Sequence, residues 1–185
     1  MGRDADMIDI DQLLKEYKQT TPDICEHMDT LTELAKECDH ITEMGFRHGA
    51  SACAMLKAQP KKLISYDLQI PDACRTVFDL VKGNTEVQLI QGNTLEVQIE
   101  ETDMLFIDTL HTYDQLKEEL RLHGNKAKKY LVFHDTETFG LKGEDGSERG
   151  LKNAFNEYKV LNPHWSLYRH YDNNNGLTIL KRVPE

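Results

Sequence analysis

Hydrophobic positions along the chain follow two spacings, and each spacing predicts one kind of secondary structure. Apolar residues three or four positions apart predict helices with one buried face, at residues 8–17, 23–35, 50–58, 71–82, 113–123 and 151–161. Short apolar runs between them predict strands, at residues 41–44, 62–67, 86–91, 103–108, 129–135, 165–171 and 177–183. The run at 103–108 is apolar almost throughout, as expected for a strand that helices cover on both faces.

The order of these elements predicts the fold. Strands that alternate with helices form a mostly parallel sheet, because a crossover is needed to return the chain to the same edge. The last two strands are separated only by the asparagine-rich residues 173–176, so they form a hairpin with one antiparallel strand in the sheet. We predict one doubly wound α/β domain over residues 1–185, with a mostly parallel, seven-stranded sheet and a C-terminal antiparallel hairpin. N-terminal helices (residues 1–38) precede its core (residues 39–183).

Composition narrows the class of function. A chain of 185 residues with 39% apolar and 29% charged side chains suits one globular domain. Its formal charge of −10 opposes nucleic-acid binding, which depends largely on Lys and Arg contacts to phosphates. The charge balance therefore opposes a DNA or RNA partner. The N-terminal helices can form a substrate wall or a dimer contact, so the sequence leaves homo-oligomerisation open.

Targeting signals and cysteines predict the compartment. No apolar run approaches the roughly 20 residues that span a bilayer, and residues 1–7 lack the apolar segment of a secretory signal. Asp6 stands where the N-myristoylation motif requires Ser or Thr. The four cysteines form no Cys-x-x-Cys pair, so a reducing compartment is the simpler inference. We therefore expect a cytoplasmic protein without membrane association.

Residues 41–51 form the stretch around which a ligand site is expected. They predict a short strand, a turn between Gly45 and Gly49, and the start of a helix. In open α/β sheets this geometry delivers a ligand to the first turn of a helix. Both glycines would allow the backbone to approach a ligand closely. The Gly-x-x-x-Gly spacing is weak support by itself, since glycine pairs also occur in ordinary turns.

Polar residues also mark the ends of the other strands. Asp67, Asp108 and Asp135 each end a predicted strand, and Asn93 and Thr94 follow another. In a doubly wound sheet, ligands bind beyond the carboxyl ends of the strands. Each residue alone is more often structural, whereas the set together favours a ligand site.

A dinucleotide-binding dehydrogenase is the first hypothesis to test, and the sequence opposes it. The Gly-x-Gly-x-x-Gly fingerprint has a second glycine that lets the pyrophosphate approach. Arg47 occupies that place here, and no Gly-Lys-Ser/Thr phosphate loop is present. Asp67 is still placed to receive ribose hydroxyls. The sequence therefore predicts a nucleoside-like cofactor without phosphates.

These residues resemble the class I S-adenosylmethionine-dependent methyltransferases over residues 39–183. Residues 43–49 are similar to the first motif of that family, Asp67 to the acid that ends its second strand, and residues 92–94 to its adenine-side turn. Residues 106–113 and 133–136 resemble a narrower branch, the metal-dependent sugar O-methyltransferases with their cephalosporin-hydroxylase-like relatives. The resemblance implies the cofactor S-adenosylmethionine, bound by Glu43, Gly45, Arg47, Gly49, Ser51, Asp67, Asn93, Thr94 and Asp108.

Within that set, the resemblance assigns each part of the cofactor. Glu43, Gly45 and Gly49 would face the methionine part, Asp67 the ribose and Asn93 the adenine.

The resemblance also implies a metal site and a general base. Asp108 and Asp135 would be metal ligands, and His111 would act as the catalytic base beside Asp108. Neighbouring strands lie about 4.8 Å apart, so carboxylates at their ends can converge on one divalent cation such as Mg²⁺ or Mn²⁺. A histidine with an ordinary pKa of about 6.5 is suited to accept a hydroxyl proton.

His134 departs from the branch, in which an acidic residue usually precedes the last metal aspartate. As a metal ligand, its imidazole would favour Mn, Fe or Zn over Mg. The alternative, of equal weight, is a structural hydrogen bond to a backbone group.

The leading hypothesis is an enzyme that transfers the methyl group of S-adenosylmethionine to a hydroxyl of a small molecule. A sugar is one candidate acceptor, and a divalent metal is a candidate aid. One alternative is cleavage of S-adenosylmethionine itself. Another is a nucleoside-binding module without turnover, although binding alone requires none of Asp108, His111 and Asp135. The glycine-rich residues 136–150 are expected to form a mobile lid.

Overall fold

The computed structural model describes residues 8–184, which form a seven-stranded sheet with helices on both faces. The predictions about a secretory signal and myristoylation concern residues 1–7 and lie outside the described part. The strands are β1 (His40–Met44), β2 (Lys62–Asp67), β3 (Glu86–Gln91), β4 (Thr102–Ile107), β5 (Ala127–His134), β6 (Trp165–Tyr171) and β7 (Leu177–Arg182).

The sheet has the strand order β3-β2-β1-β4-β5-β7-β6. Strands β1 to β5 pair in parallel, and β7 pairs antiparallel with both β5 and β6. Because β1 lies between β2 and β4, the order reverses there, and the carboxyl ends of β1 and β4 flank the crevice in which such sheets bind ligands. The predicted doubly wound, mostly parallel seven-stranded sheet with a C-terminal antiparallel hairpin is confirmed.

Six α-helices occur among residues 8–184: α1 (Ile10–Thr20), α2 (Met28–Ala35), α3 (Ala50–Leu56), α4 (Asp72–Val81), α5 (Tyr113–His123) and α6 (Leu151–Leu161). Helix α1 begins at Ile10 because the Asp9 carboxylate accepts a hydrogen bond from the Gln12 N–H at 2.8 Å. Within the described part of the chain, no helix is long and apolar enough to cross a bilayer.

The predicted helix at residues 23–35 is wrong in its first part. Residues 22–24 form a turn, Cys25–His27 form a short 3₁₀ segment, and α2 starts only at Met28. The Glu26 N–H donates to Asn174 Oδ1 at 3.1 Å, and the Pro22 carbonyl accepts from Asn174 Nδ2 at 2.5 Å. These distant partners replace intrahelical hydrogen bonds, and hydrophobic spacing does not reveal them.

Alternate residues of β4 supply two hydrophobic layers. Met104 and Phe106 pack with residues of α1 to α4, whereas Leu105 and Ile107 pack with residues of α5 and α6. Successive side chains of a strand point to opposite faces, so both faces of the sheet centre are covered. This burial explains the almost wholly apolar sequence of β4 and leaves the carboxyl edge of the sheet for polar residues.

Candidate active site

The turn after β1 depends on two glycines with left-handed backbone. Gly45 has a φ of +94°, and a Cβ atom there would lie 1.9 Å from the carbonyl oxygen of Asp108. Gly49 has a φ of +95°, and its Cβ would lie 2.8 Å from the Phe78 ring. L side chains rarely adopt this backbone region. The absence of a side chain at these glycines allows the close approach of Asp108 and Phe78. The sequence analysis had instead predicted the close approach of a ligand.

Asp67, at the end of β2, ties the glycine turn to the neighbouring strand. Its Oδ2 accepts a hydrogen bond from the Arg47 backbone N–H at 2.7 Å, and its Oδ1 accepts one from the Gln69 N–H at 3.2 Å. The Arg47 guanidinium turns away from Asp67 and pairs with Asp23 at 2.6 Å. Asp67 therefore orders the turn in addition to any contact with a ligand.

Two adjoining cavities lie beyond the carboxyl ends of β1, β2 and β4. The larger cavity has a volume of about 540 Å³ and is lined by residues that follow these strands and β3. The smaller cavity has a volume of about 320 Å³ and lies between the glycine turn and residues 20–24. Gly45 and Asp108 line both cavities, so the two spaces meet beside these residues.

Most residues predicted to bind the cofactor line one of these cavities. The larger one is bordered by Gly45, Asp67, Asn93, Thr94 and Asp108. The smaller one is bordered by Gly45, Arg47, Ser51 and Asp108. Glu43 and Gly49 line neither cavity.

Glu43 lies fully buried beneath the turn. Its carboxylate accepts hydrogen bonds from the hydroxyls of Ser51 in α3 and Ser65 in β2, the latter at 2.5 Å. Burial raises the pKa of Glu43 to about 7, although both hydroxyls oppose that change. Glu43 therefore links β1 to its neighbours, and its side chain does not reach the cavity surface beside which the methionine part was predicted.

Glu119 in α5 is a buried acid that the sequence did not single out. Its carboxylate accepts hydrogen bonds from Thr94 at 2.6 Å, from Thr109 at 2.8 Å and from Gln115 at 2.9 Å. Burial raises the pKa of Glu119 despite these donors. The Thr94 hydroxyl therefore donates to Glu119, and this buried hydrogen bond holds Thr94 in place in the wall of the larger cavity. The available signal was an acid on the same helix face as the core residue Leu116.

Asp108, His111 and Asp135 form a cluster at the ends of β4 and β5. The Nε2 atom of His111 lies 3.0 Å from Asp108 Oδ1 and 2.9 Å from Asp135 Oδ2. One ligand atom from each of the three residues lies within 4.8 Å of the others, so the group can hold a metal ion. The predicted convergence of Asp108, Asp135 and His111 is thus present in the structure.

His134 lies beside both aspartates and makes the predicted hydrogen bond to a backbone group. Its Nδ1 lies 3.2 Å from Asp108 Oδ2 and 3.1 Å from Asp135 Oδ2, and its Nε2 lies 3.1 Å from the Asn174 carbonyl oxygen. Among the described residues, the group with metal-ligand spacing contains His111 and does not contain His134. His111 therefore takes the third place that the sequence gave to His134.

The two carboxylates set the charge of both histidines. Burial alone would lower the pKa of His111 and His134, but hydrogen bonds to Asp108 and Asp135 raise these pKa values to about 11 and about 10. Burial would raise the pKa of Asp135, and the same hydrogen bonds hold it well below its usual range. These hydrogen bonds favour the protonated form of His111, which can act as the predicted base only once Nε2 has lost that proton.

Glu144, from the loop at residues 136–150, is a further site residue that sequence reasoning missed. Its Oε2 lies 3.1 Å from His111 Nδ1, and its backbone N–H donates to the His111 carbonyl at 3.0 Å. The His111 ring also stacks on Phe139 of the same loop, with ring centres 5.0 Å apart. The loop therefore lies over the cluster, where a lid was predicted, and its mobility stays a prediction.

Comparison with known proteins gives structural relatives only. No protein-family model and no curated protein matches this sequence. A putative O-methyltransferase from Klebsiella pneumoniae superposes with a TM-score of 0.71 at 17% identity, covering 95% of this chain and 90% of that chain. The O-methyltransferase from Bacillus cereus in complex with SAH gives 0.70 at 15% identity, covering 92% and 90%. The Streptomyces achromogenes O-methyltransferase TomG, involved in tomaymycin synthesis and bound to SAM, gives 0.65 at 14% identity, covering 92% and 89%.

TM-scores of 0.65 to 0.71 show a shared backbone fold, and at identities of 14% to 17% the similarity shows the fold alone. The superpositions extend over more than nine tenths of this chain. The chain therefore has the Rossmann-like fold of the class I S-adenosylmethionine-dependent methyltransferases.

Proposed function

We propose that the protein is an S-adenosylmethionine-dependent methyltransferase that methylates a hydroxyl of a small molecule. The observation that carries the proposal is the pair of cavities that meet at Gly45 and Asp108. They lie at the order reversal of the sheet, which is where doubly wound folds bind nucleoside-containing ligands. Structural relatives that hold SAH or SAM support the same cofactor.

The larger cavity suits the adenosine part of the cofactor. Asp67 offers carboxylate oxygens to ribose hydroxyls, Asn93 offers an amide to the adenine edge, and Leu68 and Leu95 supply apolar surface. Its lining, drawn from the described residues, contains no Lys or Arg. A phosphate-bearing ligand would lack a counter-charge there, which favours a nucleoside without phosphates.

The smaller cavity suits the methionine part. Arg47 and Asp23 face each other there at 2.6 Å, and both line the cavity. An amino acid carries a carboxylate and an ammonium, which match these two opposite charges. Thr20 and Thr21 also line this cavity, although their hydroxyls donate to the Glu16 and Tyr17 carbonyls of α1.

The cluster of Asp108, His111 and Asp135 suits a divalent cation. The raised pKa of His111 reports that the two carboxylates favour positive charge at this place. Carboxylate oxygens suit Mg or Mn, whereas an imidazole ligand favours Mn, Fe or Zn. When bound, such a cation would make a hydroxyl easier to deprotonate.

The protein's own groups would orient the reaction. Glu144 accepts the Nδ1 proton of His111, so that Nε2 points at Asp108 and Asp135. Once Nε2 has lost its proton, it can ligate a cation or accept the proton of an acceptor hydroxyl. Methyl transfer then requires the acceptor oxygen, the methyl carbon and the sulfur in line, which is mainly a positioning task for the cavity walls.

Calorimetric titration tests this proposal. We expect S-adenosylmethionine and SAH to bind more tightly than NAD, and Mn²⁺ to bind in a way that depends on Asp135. Absence of S-adenosylmethionine binding would contradict the cofactor assignment. S-adenosylmethionine binding that does not depend on a metal would contradict only the proposed metal site. Product analysis with methyl-labelled cofactor separates transfer to an acceptor from cleavage of the cofactor. Cytoplasmic location and homo-oligomerisation stay predictions from the sequence.

A further inference from the structure

The turn between β6 and β7 reaches back to the N-terminal part of the chain. Asn174 Nδ2 donates to the Pro22 carbonyl at 2.5 Å, and Asn175 Nδ2 donates to the Asp23 carbonyl at 3.1 Å. Asn174 Oδ1 accepts from the Glu26 N–H at 3.1 Å. Two amide side chains therefore satisfy three backbone groups of a segment that has no regular secondary structure before Cys25.

The segment held in this way is a wall of the smaller cavity. Pro22, Asp23 and Ile24 all line that cavity and do not line the larger one. The ion pair of Asp23 with Arg47 also holds the segment, but its side chains are 42% and 73% exposed. Exposed ion pairs contribute little in water, and the asparagine amides add hydrogen bonds to the backbone of the segment itself, the one from Asn175 being partly buried.

The backbone carbonyls of the turn serve a different part of the site from the Asn174 side chain. The Asn174 carbonyl accepts from His134 Nε2 at 3.1 Å, and the Asn175 carbonyl accepts from the Glu137 N–H at 2.9 Å. These carbonyls support the acidic cluster and the start of the loop at residues 136–150. The Asn174 amide bonds to the wall segment, whereas the Asn175 amide bonds both to that segment and to the Thr138 hydroxyl at 2.9 Å, so substitution of Asn174 separates the two tasks more fully.

Backbone conformation makes that separation practical. Asn174 and Asn175 have φ angles of 46° and 68°, in the left-handed region. Glycine enters this region at no steric cost. Replacing either asparagine with glycine therefore removes its amide and keeps the path of the turn and its carbonyls.

We propose that Asn174 and Asn175 are positioning residues for the amino-acid end of the cofactor, because their amides hold residues 22–24 as the outer wall of the smaller cavity. The inference rests on the proposed function, which puts the methionine part of the cofactor in that cavity. Adenosine occupies only the larger cavity and lacks the amino-acid end. A change in the wall therefore alters the affinity for SAH and leaves the affinity for adenosine unchanged.

The test compares the two ligands by calorimetry in wild type, Asn174→Gly and Asn175→Gly. Each substitution removes two hydrogen bonds, of which two for Asn174 and one for Asn175 hold the wall segment, so SAH affinity falls by about fivefold to thirtyfold, while adenosine affinity stays within about twofold. Gln59→Gly is the matched control, because Gln59 has a φ of 55° and its amide bonds only within its own turn, to Leu56. It leaves both affinities unchanged.

Hydrogen exchange of residues 20–26, which include the Glu26 N–H that Asn174 holds, gives a second readout that does not need a ligand. Exchange becomes faster in Asn174→Gly and Asn175→Gly and stays at the wild-type rate in Gln59→Gly. Unchanged exchange, or equal losses of SAH and adenosine affinity, would overturn the positioning role. Wild-type protein that binds neither ligand would instead overturn the proposed function, and the exchange data would still decide whether the amides hold the wall.

Discussion

Asp135 Oδ2 lies 2.9 Å from His111 Nε2, which joins a residue just after β5 to the loop that precedes α5. Asp108 approaches the same nitrogen at 3.0 Å. Asp135 also has a left-handed backbone with a φ of 58°, a conformation that is uncommon outside glycine and tends to occur at functional sites. The geometry brings two carboxylates to one point, and this arrangement suits a shared cation.

Substitution of Asp135 tests the metal assignment. Asp135→Asn should lower Mn²⁺ affinity by at least about tenfold, because even the outer partners of metal ligands typically cost tenfold or more. Spin-resonance titration of free Mn²⁺ measures the change. Asp145→Asn, in the loop over the cluster but outside the metal group, should keep the wild-type affinity. Equal Mn²⁺ binding by wild type and Asp135→Asn would rule the cluster out as the site.

Gly45→Ala tests the close approach of the turn to Asp108. A Cβ at a positive φ costs about 1–2 kcal/mol, and the overlap with the Asp108 carbonyl adds about 1–3 kcal/mol. Urea unfolding should therefore show a loss of about 2–5 kcal/mol. Gly146→Ala is the control, since Gly146 has a φ of +83° and open space around its Cβ. Its loss should be limited to the backbone cost, and equal losses at the two positions would contradict the overlap.

Glu43 should make stability depend on pH. Its pKa is raised from 4.5 to about 7 in the folded state, so the folded protein favours the protonated carboxyl. This contribution is fully present below pH 4.5 and is lost as the pH rises through about 7. One pKa unit corresponds to about 1.4 kcal/mol, so the unfolding free energy of wild type should fall by about 2–3 kcal/mol relative to Glu43→Gln between about pH 5 and pH 8.

Urea unfolding of both proteins across this range measures the effect. Glu33→Gln is a control because the side chain of Glu33 is 71% exposed, and it should run parallel to wild type. A constant difference between wild type and Glu43→Gln would show that Glu43 does not titrate in this range.

Asp67→Asn tests the predicted ribose contact. Hydrogen bonds to charged groups contribute about 1.5–3 kcal/mol, so SAH affinity should fall by about tenfold to a hundredfold. The asparagine carbonyl can still accept from the Arg47 N–H, so the loss of stability should stay near about 1 kcal/mol. Asp72→Asn, with a fully exposed side chain, should change neither quantity. An SAH affinity that survives Asp67→Asn would place the ribose elsewhere.

The fold and the strand-end residues were predictable because both depend on local pattern. The apolar run of β4 and the polar Asp108 that follows it come from adjacent positions of one strand. The same holds for β5 and Asp135. Parallel pairing then brings these two strand ends together, so the acidic cluster follows from topology.

Other site residues depend on contacts that no local pattern encodes. Glu144 lies in a glycine-rich loop and meets His111 only through the folded path of that loop. Residues 22–24 have helical spacing with the residues that follow, but Asn174 and Asn175 take their carbonyls as acceptors. The sequence also did not predict that Glu43 is fully buried. A strand that ends near a ligand site does not show whether an acidic residue in it faces the ligand or the core.

The reach of the asparagine turn also constrains the order in which the site can mature during translation. Asn174 and Pro22 are 152 residues apart, so the ribosome releases residues 22–24 long before their partners exist. Strands β1 to β5 can pair first, since all five precede the hairpin in the chain. The cavity wall must then wait for the last hairpin, and a nascent chain would form its nucleoside pocket before it could enclose the rest of the cofactor.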